Sequence, residues 1–155
     1  PRWGSIPLGS STIAKIGCAA TSVAIQLARS GAAVTFSDLN PGTFVTAYKA
    51  AGGFTGGNIY FDRVNKVAPD FTYQGRVALS GGESSKVSQV KRYLDQNYYV
   101  IMEVKKGNNS GQHWVAIISS DGTSLKMADP ASAETNASSK YPSAGWSEIV
   151  YYKKG

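Results

Sequence analysis

The sequence predicts an α+β fold in which helices dominate the first half of the chain and antiparallel strands the second. Apolar residues recur at helical spacing up to about residue 53, whereas "YYVIMEVKK", "HWVAIISSDGTSLKMADP" and "GWSEIVYYKKG" read as strands. The 155 residues, 42% hydrophobic and 17% charged, suit one domain over residues 1–155 that buries a single substantial core.

The first helix is predicted over Cys18–Ser30, with Gly31 as its stop. Its apolar face carries Ala20, Val23, Ala24, Leu27 and Ala28. Cys18, the single cysteine of the chain, is therefore expected at a helix N-terminus.

A second helix is predicted after "DLN", with Asn40 as N-cap and Pro41 in the first position, and Gly52 and Gly53 end it. The two helices are expected to pack as a hairpin or adjacent pair. Further along, Ile59–Val67 fits a short helix and Phe71–Leu79 alternates like a strand. A third helix, leading into the strand "YYVIMEVKK", is marked by the apolar stripe Val87, Val90 and Leu94.

The clearest element is a hairpin centred on the turn dipeptide Asp121-Gly122. With a loop of two or three residues, the numbers of paired residues sum to about 242 or 243. His113, the single histidine, then faces Asp129 or lies diagonal to it. Both positions allow contact between the two side chains.

A histidine beside an aspartate has a chemical interpretation that involves Cys18. An aspartate that accepts from one imidazole nitrogen fixes the tautomer and leaves the other nitrogen to face a nucleophile. A thiol with an ordinary pKa of about 8.5 is only a few per cent ionised at pH 7, so a reactive cysteine needs a helix N-terminus or a neighbouring imidazolium. Cys18, His113 and Asp129 are therefore the candidate catalytic residues.

Each of these residues also has a plain structural interpretation. A lone cysteine on an alanine-rich helix is by default a small buried hydrophobe, and a lone histidine at a strand start lies on the surface or bonds structurally. Asp129, before Pro130, is by default a residue that ends a strand. The coincidence of all three favours the chemical interpretation.

Composition narrows the remaining classes of function. The net charge of +6 favours an anionic partner, such as nucleic acid, a membrane surface or a wall polymer. One cysteine cannot form an internal disulfide, and a single cysteine with a single histidine argues against a zinc site. The chain has no apolar run of membrane-spanning length, no signal-peptide pattern, no phosphate-binding loop and no RNA-binding signature.

Several motifs resemble the bacterial papain-like cysteine peptidases related to the double-glycine-leader peptidases, cysteine peptidase family thirty-nine. The resemblance covers nearly the whole chain. It rests mainly on Trp3, Leu8-Gly9, Gly17-Cys18, Thr21-Ser22, Leu39-Asn40, His113-Trp114-Val115 and Ala128-Asp129-Pro130.

The resemblance implies a helix bearing the cysteine, packed on an antiparallel sheet that bears the histidine and the aspartate. It implies Cys18 as nucleophile, His113 as general base and then acid, and Asp129 as the residue that orients the imidazole. It implies no metal and no cofactor.

The chain departs from the family in one respect. Such enzymes usually have a glutamine upstream of the cysteine whose amide helps to bind the oxyanion, and here no glutamine precedes Gln26. Either the glutamine lies upstream of Pro1, or a nearby hydroxyl donates instead, or the domain is inactive. The candidate oxyanion or substrate residues are Thr12, Ser11 and Trp114.

The expected function is a cysteine peptidase or amidase that hydrolyses bacterial cell-wall peptides, secreted, wall-associated or carried on a phage particle. An anionic wall polymer is an expected partner, nucleic acid and a membrane span are not, and the isolated domain is expected to be a monomer. The alternatives are a leader-peptide-processing peptidase and a catalytically inactive binding or structural domain.

Overall fold

The fold comes from a computed structural model, which describes side chains from Cys18 onward with few exceptions. The backbone is described for residues 7–8, 11–55, 58–105, 113–130 and 133–155. Along the chain the elements are β1 (Pro7–Leu8), β2 (Ser11–Thr12), α1 (Ile13–Ser30), α2 (Pro41–Ala50), β3 (Phe54–Thr55), β4 (Asn58–Ile59), β5 (Phe71–Ala78), α3 (Glu83–Asp95), β6 (Tyr99–Lys105), β7 (His113–Ser120), β8 (Leu125–Ala128), α4 (Ala137–Lys140) and β9 (Glu148–Lys154). Two short 3₁₀ helices lie at Phe61–Lys66 and Ser143–Gly145.

The main sheet has five antiparallel strands in the order β5-β9-β6-β7-β8. The last strand, β9, pairs with β5 on one side and β6 on the other, so the C-terminal segment lies inside the sheet. This arrangement confirms the predicted α+β class.

The sheet separates two hydrophobic clusters. On one face, α1 and α2 cover Ile101, Trp114 and Val150; on the other, α3 covers their neighbours Met102, Val115 and Ile149. Successive strand residues point to opposite faces, so the continuous apolar run in β6 is required by a sheet buried on both sides.

The second helix follows the prediction closely. The Asn40 side chain accepts from the Thr43 backbone N–H at 3.0 Å, and the Thr43 hydroxyl accepts from the Asn40 N–H at 2.9 Å. This reciprocal capping, together with Pro41 in the first turn, fixes where α2 begins. The helix lies against α1, as an adjacent pair should.

The first helix is longer than predicted. It ends at Ser30 as expected, and Gly31 takes the left-handed conformation with φ of 70°. However, it begins at Ile13 rather than at Cys18. The residues before Cys18 are compatible with a helix, and one internal glycine, Gly17, costs only about 1 kcal/mol. Cys18 therefore lies in the second turn.

The other predicted elements agree in kind and differ at their ends. The helix predicted at Ile59–Val67 is the 3₁₀ helix Phe61–Lys66, preceded by β4. The predicted strand Phe71–Leu79 is β5, whose register shifts between Tyr73 and Gly75. The third helix contains Val87 and Val90 as buried residues.

A buried glutamine fastens α1 to the middle of the sheet. Gln26 is fully buried, and its Nε2 donates to the carbonyl oxygens of Val100 at 2.6 Å and Ile117 at 2.8 Å. These two residues are paired across β6 and β7, so one amide bonds both strands. Arg29 Nη1 donates to Gln26 Oε1 at 2.6 Å.

We expect Gln26→Ala to lower the free energy of unfolding by about 1–3 kcal/mol, because a buried polar group loses its hydrogen bonds and leaves a cavity. Gln96→Ala, the same change at an exposed position after α3, should alter it by less than about 0.5 kcal/mol. Urea unfolding followed by circular dichroism measures both, and equal losses would contradict the role assigned to Gln26.

Candidate active site

The first helix and strand β7 together determine where Cys18 lies. Cys18, Ser22 and Gln26 are four residues apart and therefore share one face of α1. Ser22 Oγ donates to the Trp114 carbonyl at 3.1 Å, and Gln26 donates to that of Ile117, so α1 and β7 run in the same direction. One turn before Ser22, Cys18 reaches the start of β7, where His113 lies.

His113 and Asp129 meet through a hydrogen bond. His113 Nε2 lies 2.9 Å from Asp129 Oδ1, and because a carboxylate only accepts, the Nε2–H donates. The imidazole is 15% exposed, whereas the carboxylate is fully buried. The predicted contact between these two residues is therefore present.

The hairpin brings them together with a register that differs from the predicted one. Ser120 pairs with Leu125 and Ala116 with Ala128, so the paired numbers sum to 245 and 244, not to 242 or 243. Asp129 then comes opposite Val115, and His113 lies diagonal to it. The diagonal arrangement was one of the two expected.

The register shift has a cause in the turn. The loop spans four residues, 121–124, because Asp121 Oδ1 accepts from the backbone N–H groups of Thr123 and Ser124, both at 2.9 Å. The same bonds lower the pKa of the Asp121 carboxyl to about 2. A side chain that organises the loop in this way requires a longer turn than the two or three residues predicted.

Cys18 lies within hydrogen-bonding reach of the His113 imidazole. Because Nε2 is bonded to Asp129, Nδ1 is the imidazole nitrogen that remains for the thiol. Burial lowers the pKa of His113, but the hydrogen bonds and charge interactions with Cys18 and Asp129 outweigh it, so the pKa lies above 6.5. The side chain of Cys18 packs at the edge of the hydrophobic cluster under α1 and α2, and it is half-buried and partly open to solvent.

The prediction that Cys18 lies at a helix N-terminus is wrong. In α1 the backbone N–H groups without an intrahelical partner are those of residues 12–15, and the helix field falls off within the first turn. Of the two expected neighbours of the thiol, a helix N-terminus and an imidazole, the structure places the imidazole of His113 beside Cys18.

Of the candidate oxyanion or substrate residues, the structure describes the side chain of Trp114 but not those of Thr12 and Ser11. Thr12 and Ser11 form β2, directly before α1, and their side chains lie outside the described part of the structure. Trp114 is 1% exposed and packs against Phe61 with ring centroids 5.0 Å apart. Trp114 is therefore a core residue and presents no surface to a substrate, contrary to its selection as a contact residue.

Tyr141 lies beside His113 and Asp129, although no pattern in the sequence indicates it. Its hydroxyl donates to Asp129 Oδ2 at 2.5 Å, and its ring centroid lies 5.1 Å from that of His113. Its position after α4, 12 residues beyond Asp129, carries no periodic signal. By contrast, Ser22 and Gln26 could have been found from their spacing of four and eight residues after Cys18.

Within the described residues, no three His, Cys, Asp or Glu side chains converge as ligands for a metal ion. None of the helices in the described ranges is long and apolar enough to cross a membrane.

We expect Asp129→Asn to lower the pKa of His113, because the amide carries no charge to favour the imidazolium. Asp95→Asn, at an exposed position on α3, should leave it unchanged. The chain has one histidine, so a proton NMR titration shows a single imidazole, and an unchanged pKa in Asp129→Asn would contradict the geometry described above.

The same interactions link folding to pH. Because the folded-state pKa of His113 lies above its unfolded value of about 6.5, protonation of the imidazole favours the folded state. This stabilisation is complete below pH 6.5 or so and is lost as the pH rises through the folded-state value. Urea unfolding of the wild type and His113→Gln across this range should show their stability difference shrinking as the pH rises, and a constant difference would contradict it.

Comparison with known proteins agrees with this arrangement. The crystal structure of a protein assigned as a C39-like peptidase from Bacillus anthracis is similar over 90% of this chain and 90% of that one, with a TM-score of 0.51 and 18% identity. At that identity the likeness shows the fold. Among curated protein sequences, none matches this chain.

The sequence profile of the Peptidase_C39 like family matches residues 8–154, a range that includes every helix and strand except the first residue of β1. A match over nearly the whole chain is decisive for membership, and it agrees with the helix-on-sheet arrangement that places Cys18 beside His113. The chain belongs to the Peptidase_C39 like family.

Proposed function

We propose that the protein is a cysteine peptidase in which Cys18 is the nucleophile, His113 the general base and acid, and Asp129 the residue that orients the imidazole. The observation that carries this proposal is the position of His113, which is bonded to Asp129 through Nε2 and lies within hydrogen-bonding reach of Cys18. Family membership supports peptidase activity in general.

The geometry supports a two-step hydrolysis. His113 takes the thiol proton of Cys18 on Nδ1, and the sulfur attacks the peptide carbonyl to form a tetrahedral intermediate. When the intermediate collapses, the imidazolium protonates the leaving amine and a thioester remains on Cys18. The neutral imidazole then deprotonates a water molecule, which attacks the thioester and releases the carboxylic acid and the free thiol.

Throughout these steps Asp129 keeps the imidazole in one tautomer. Its carboxylate, fully buried, accepts from Nε2–H and so directs Nδ1 toward Cys18. A positive imidazolium that forms beside a buried carboxylate is stabilised by its charge. The same residue therefore orients the base and lowers the energy of its charged form.

For the oxyanion we propose Thr12 or Ser11 as a donor. Both residues directly precede α1, at the end of the helix nearer to Cys18. A hydroxyl there would replace the amide that the family usually supplies. Loss of one such donor costs about 10² to 10³ in rate, so Thr12→Val or Ser11→Ala should show a loss of this size if the assignment is right.

We propose bacterial cell-wall peptides as the substrate. The support is the formal net charge of +6, which favours binding to an anionic wall polymer and so brings the enzyme to its substrate. This assignment places the protein outside the cell, on the wall or on a phage particle. Processing of a leader peptide by the same triad is the competing activity.

We expect Cys18→Ala and His113→Ala each to reduce peptide hydrolysis by at least about 10³-fold, because the two side chains act as one unit. The double variant should be no worse than the single ones. Asp95→Ala, remote on α3, should retain wild-type kcat/KM. Full activity in Cys18→Ala, with its fold checked by circular dichroism, would rule out the proposed mechanism.

Purified cell walls test the substrate. Digestion by the wild type should release new amino termini that a Cys18→Ala digest lacks. Cleavage of double-glycine leader peptides without release from walls of several chemotypes would favour leader processing. The absence of cleavage in both assays would indicate an inactive binding domain and contradict the proposal.

A further inference from the structure

Tyr141 contacts both His113 and Asp129. Its hydroxyl donates to Asp129 Oδ2 at 2.5 Å, while Asp129 Oδ1 accepts from His113 Nε2 at 2.9 Å. The phenol ring also lies against the imidazole, with centroids 5.1 Å apart and an angle of 38° between the planes. One side chain thus bonds the carboxylate and covers the histidine.

The backbone around Tyr141 is held in place. The Tyr141 N–H donates to the Ala137 carbonyl at 2.8 Å, and the Tyr141 carbonyl accepts from Trp146 Nε1 at 3.1 Å. Trp146 is fully buried. Two residues after Tyr141, the Ser143 carbonyl accepts from Lys86 Nζ at 2.9 Å. Lys86 lies on α3 and is largely buried. These bonds hold the backbone from which the Tyr141 side chain reaches Asp129.

The Asp129 carboxylate is fully buried, so each hydrogen bond to it matters more than it would in water. A carboxylate that receives donors on both oxygens cannot rotate about its last torsion without losing them. The donor on Oδ2 therefore restricts the direction in which Oδ1 accepts.

We propose that Tyr141 is a positioning residue of the site: its hydroxyl holds Asp129 in the orientation that accepts from His113, and its ring shields that bond from water. This inference rests on the proposed function, because it assigns Tyr141 to the same triad. Tyr141 acts through Asp129 and His113 and does not itself react with a substrate.

The hydroxyl is available as a donor over the whole range in which His113 titrates. Burial raises the pKa of Tyr141, and the hydrogen bond to and charge of Asp129 raise it further. Among the described residues, the ionisable side chains that act on His113 are Cys18 from α1 and Asp129 after β8, while Tyr141 after α4 packs on its ring.

The test is the pKa of His113, measured by proton NMR on the full chain in wild type and Tyr141→Phe. The phenylalanine keeps the ring and removes the donor. If the hydroxyl orients Asp129, the bond from Nε2 loosens and the His113 pKa falls by about half a unit. Tyr98→Phe, which removes a hydroxyl directly before the start of β6, should leave the His113 pKa unchanged.

A double-variant cycle separates positioning from general structural support. In an Asp129→Asn background, Tyr141→Phe should shift the His113 pKa no further, because the group it orients has gone. A His113 pKa that is unchanged or higher in Tyr141→Phe would overturn the inference. So would an equal shift in both backgrounds.

Peptide hydrolysis gives a second readout. Tyr141→Phe should lower kcat by about tenfold and leave KM within twofold, since the hydroxyl orients the base and does not bind substrate. The NMR result does not depend on turnover. A positive pKa cycle in a protein that cleaves no peptide would therefore leave the positioning role standing while the proposed function fails, and the reverse outcome would reject Tyr141 alone.

Discussion

The hydrogen bond from His113 Nε2–H to Asp129 Oδ1 decides which imidazole nitrogen remains for Cys18. Because the carboxylate is fully buried, it holds the ring in one tautomer and one orientation. Everything proposed for the site depends on this choice. The other ring nitrogen remains for the thiol of Cys18, and the Tyr141 hydroxyl bonds the other oxygen of the carboxylate.

The opposite side of the site depends on how α1 is attached to the sheet. Ser22 and Gln26 bond carbonyl groups of β6 and β7 at successive turns of the helix, and Cys18 lies one turn before them on the same face. Two polar side chains on a mainly apolar helix face therefore fix α1 against the sheet and so position Cys18. Cys18 and His113 belong to two different elements, and these buried hydrogen bonds fix how α1 packs on β7.

Features controlled by nearby residues could be predicted from the sequence. Asn40 and Pro41 specify the start of α2, and Gly31 ends α1, because capping and left-handed backbone are local properties. The contact between His113 and Asp129 was predictable for the same reason, since a hairpin brings its own strands together. Cys18 was then the single thiol that they could serve.

Other features depend on contacts that are distant in sequence or on side chains in loops. The turn is longer than predicted because the Asp121 side chain organises it, and the hairpin register differs accordingly. The first helix begins at Ile13, five residues before the predicted start. No local pattern indicates that β9 inserts between β5 and β6. The role of Tyr141 also arises from tertiary contacts, which spacing along the chain does not reveal.

Alkylation of Cys18 by iodoacetamide at pH 6 tests most directly whether thiol and imidazole act together. The thiolate is the reacting species, so a neighbouring imidazolium should speed the reaction. We expect the wild type to react at least about ten times faster than His113→Ala. Equal rates in the two proteins, both matching free cysteine, would contradict it.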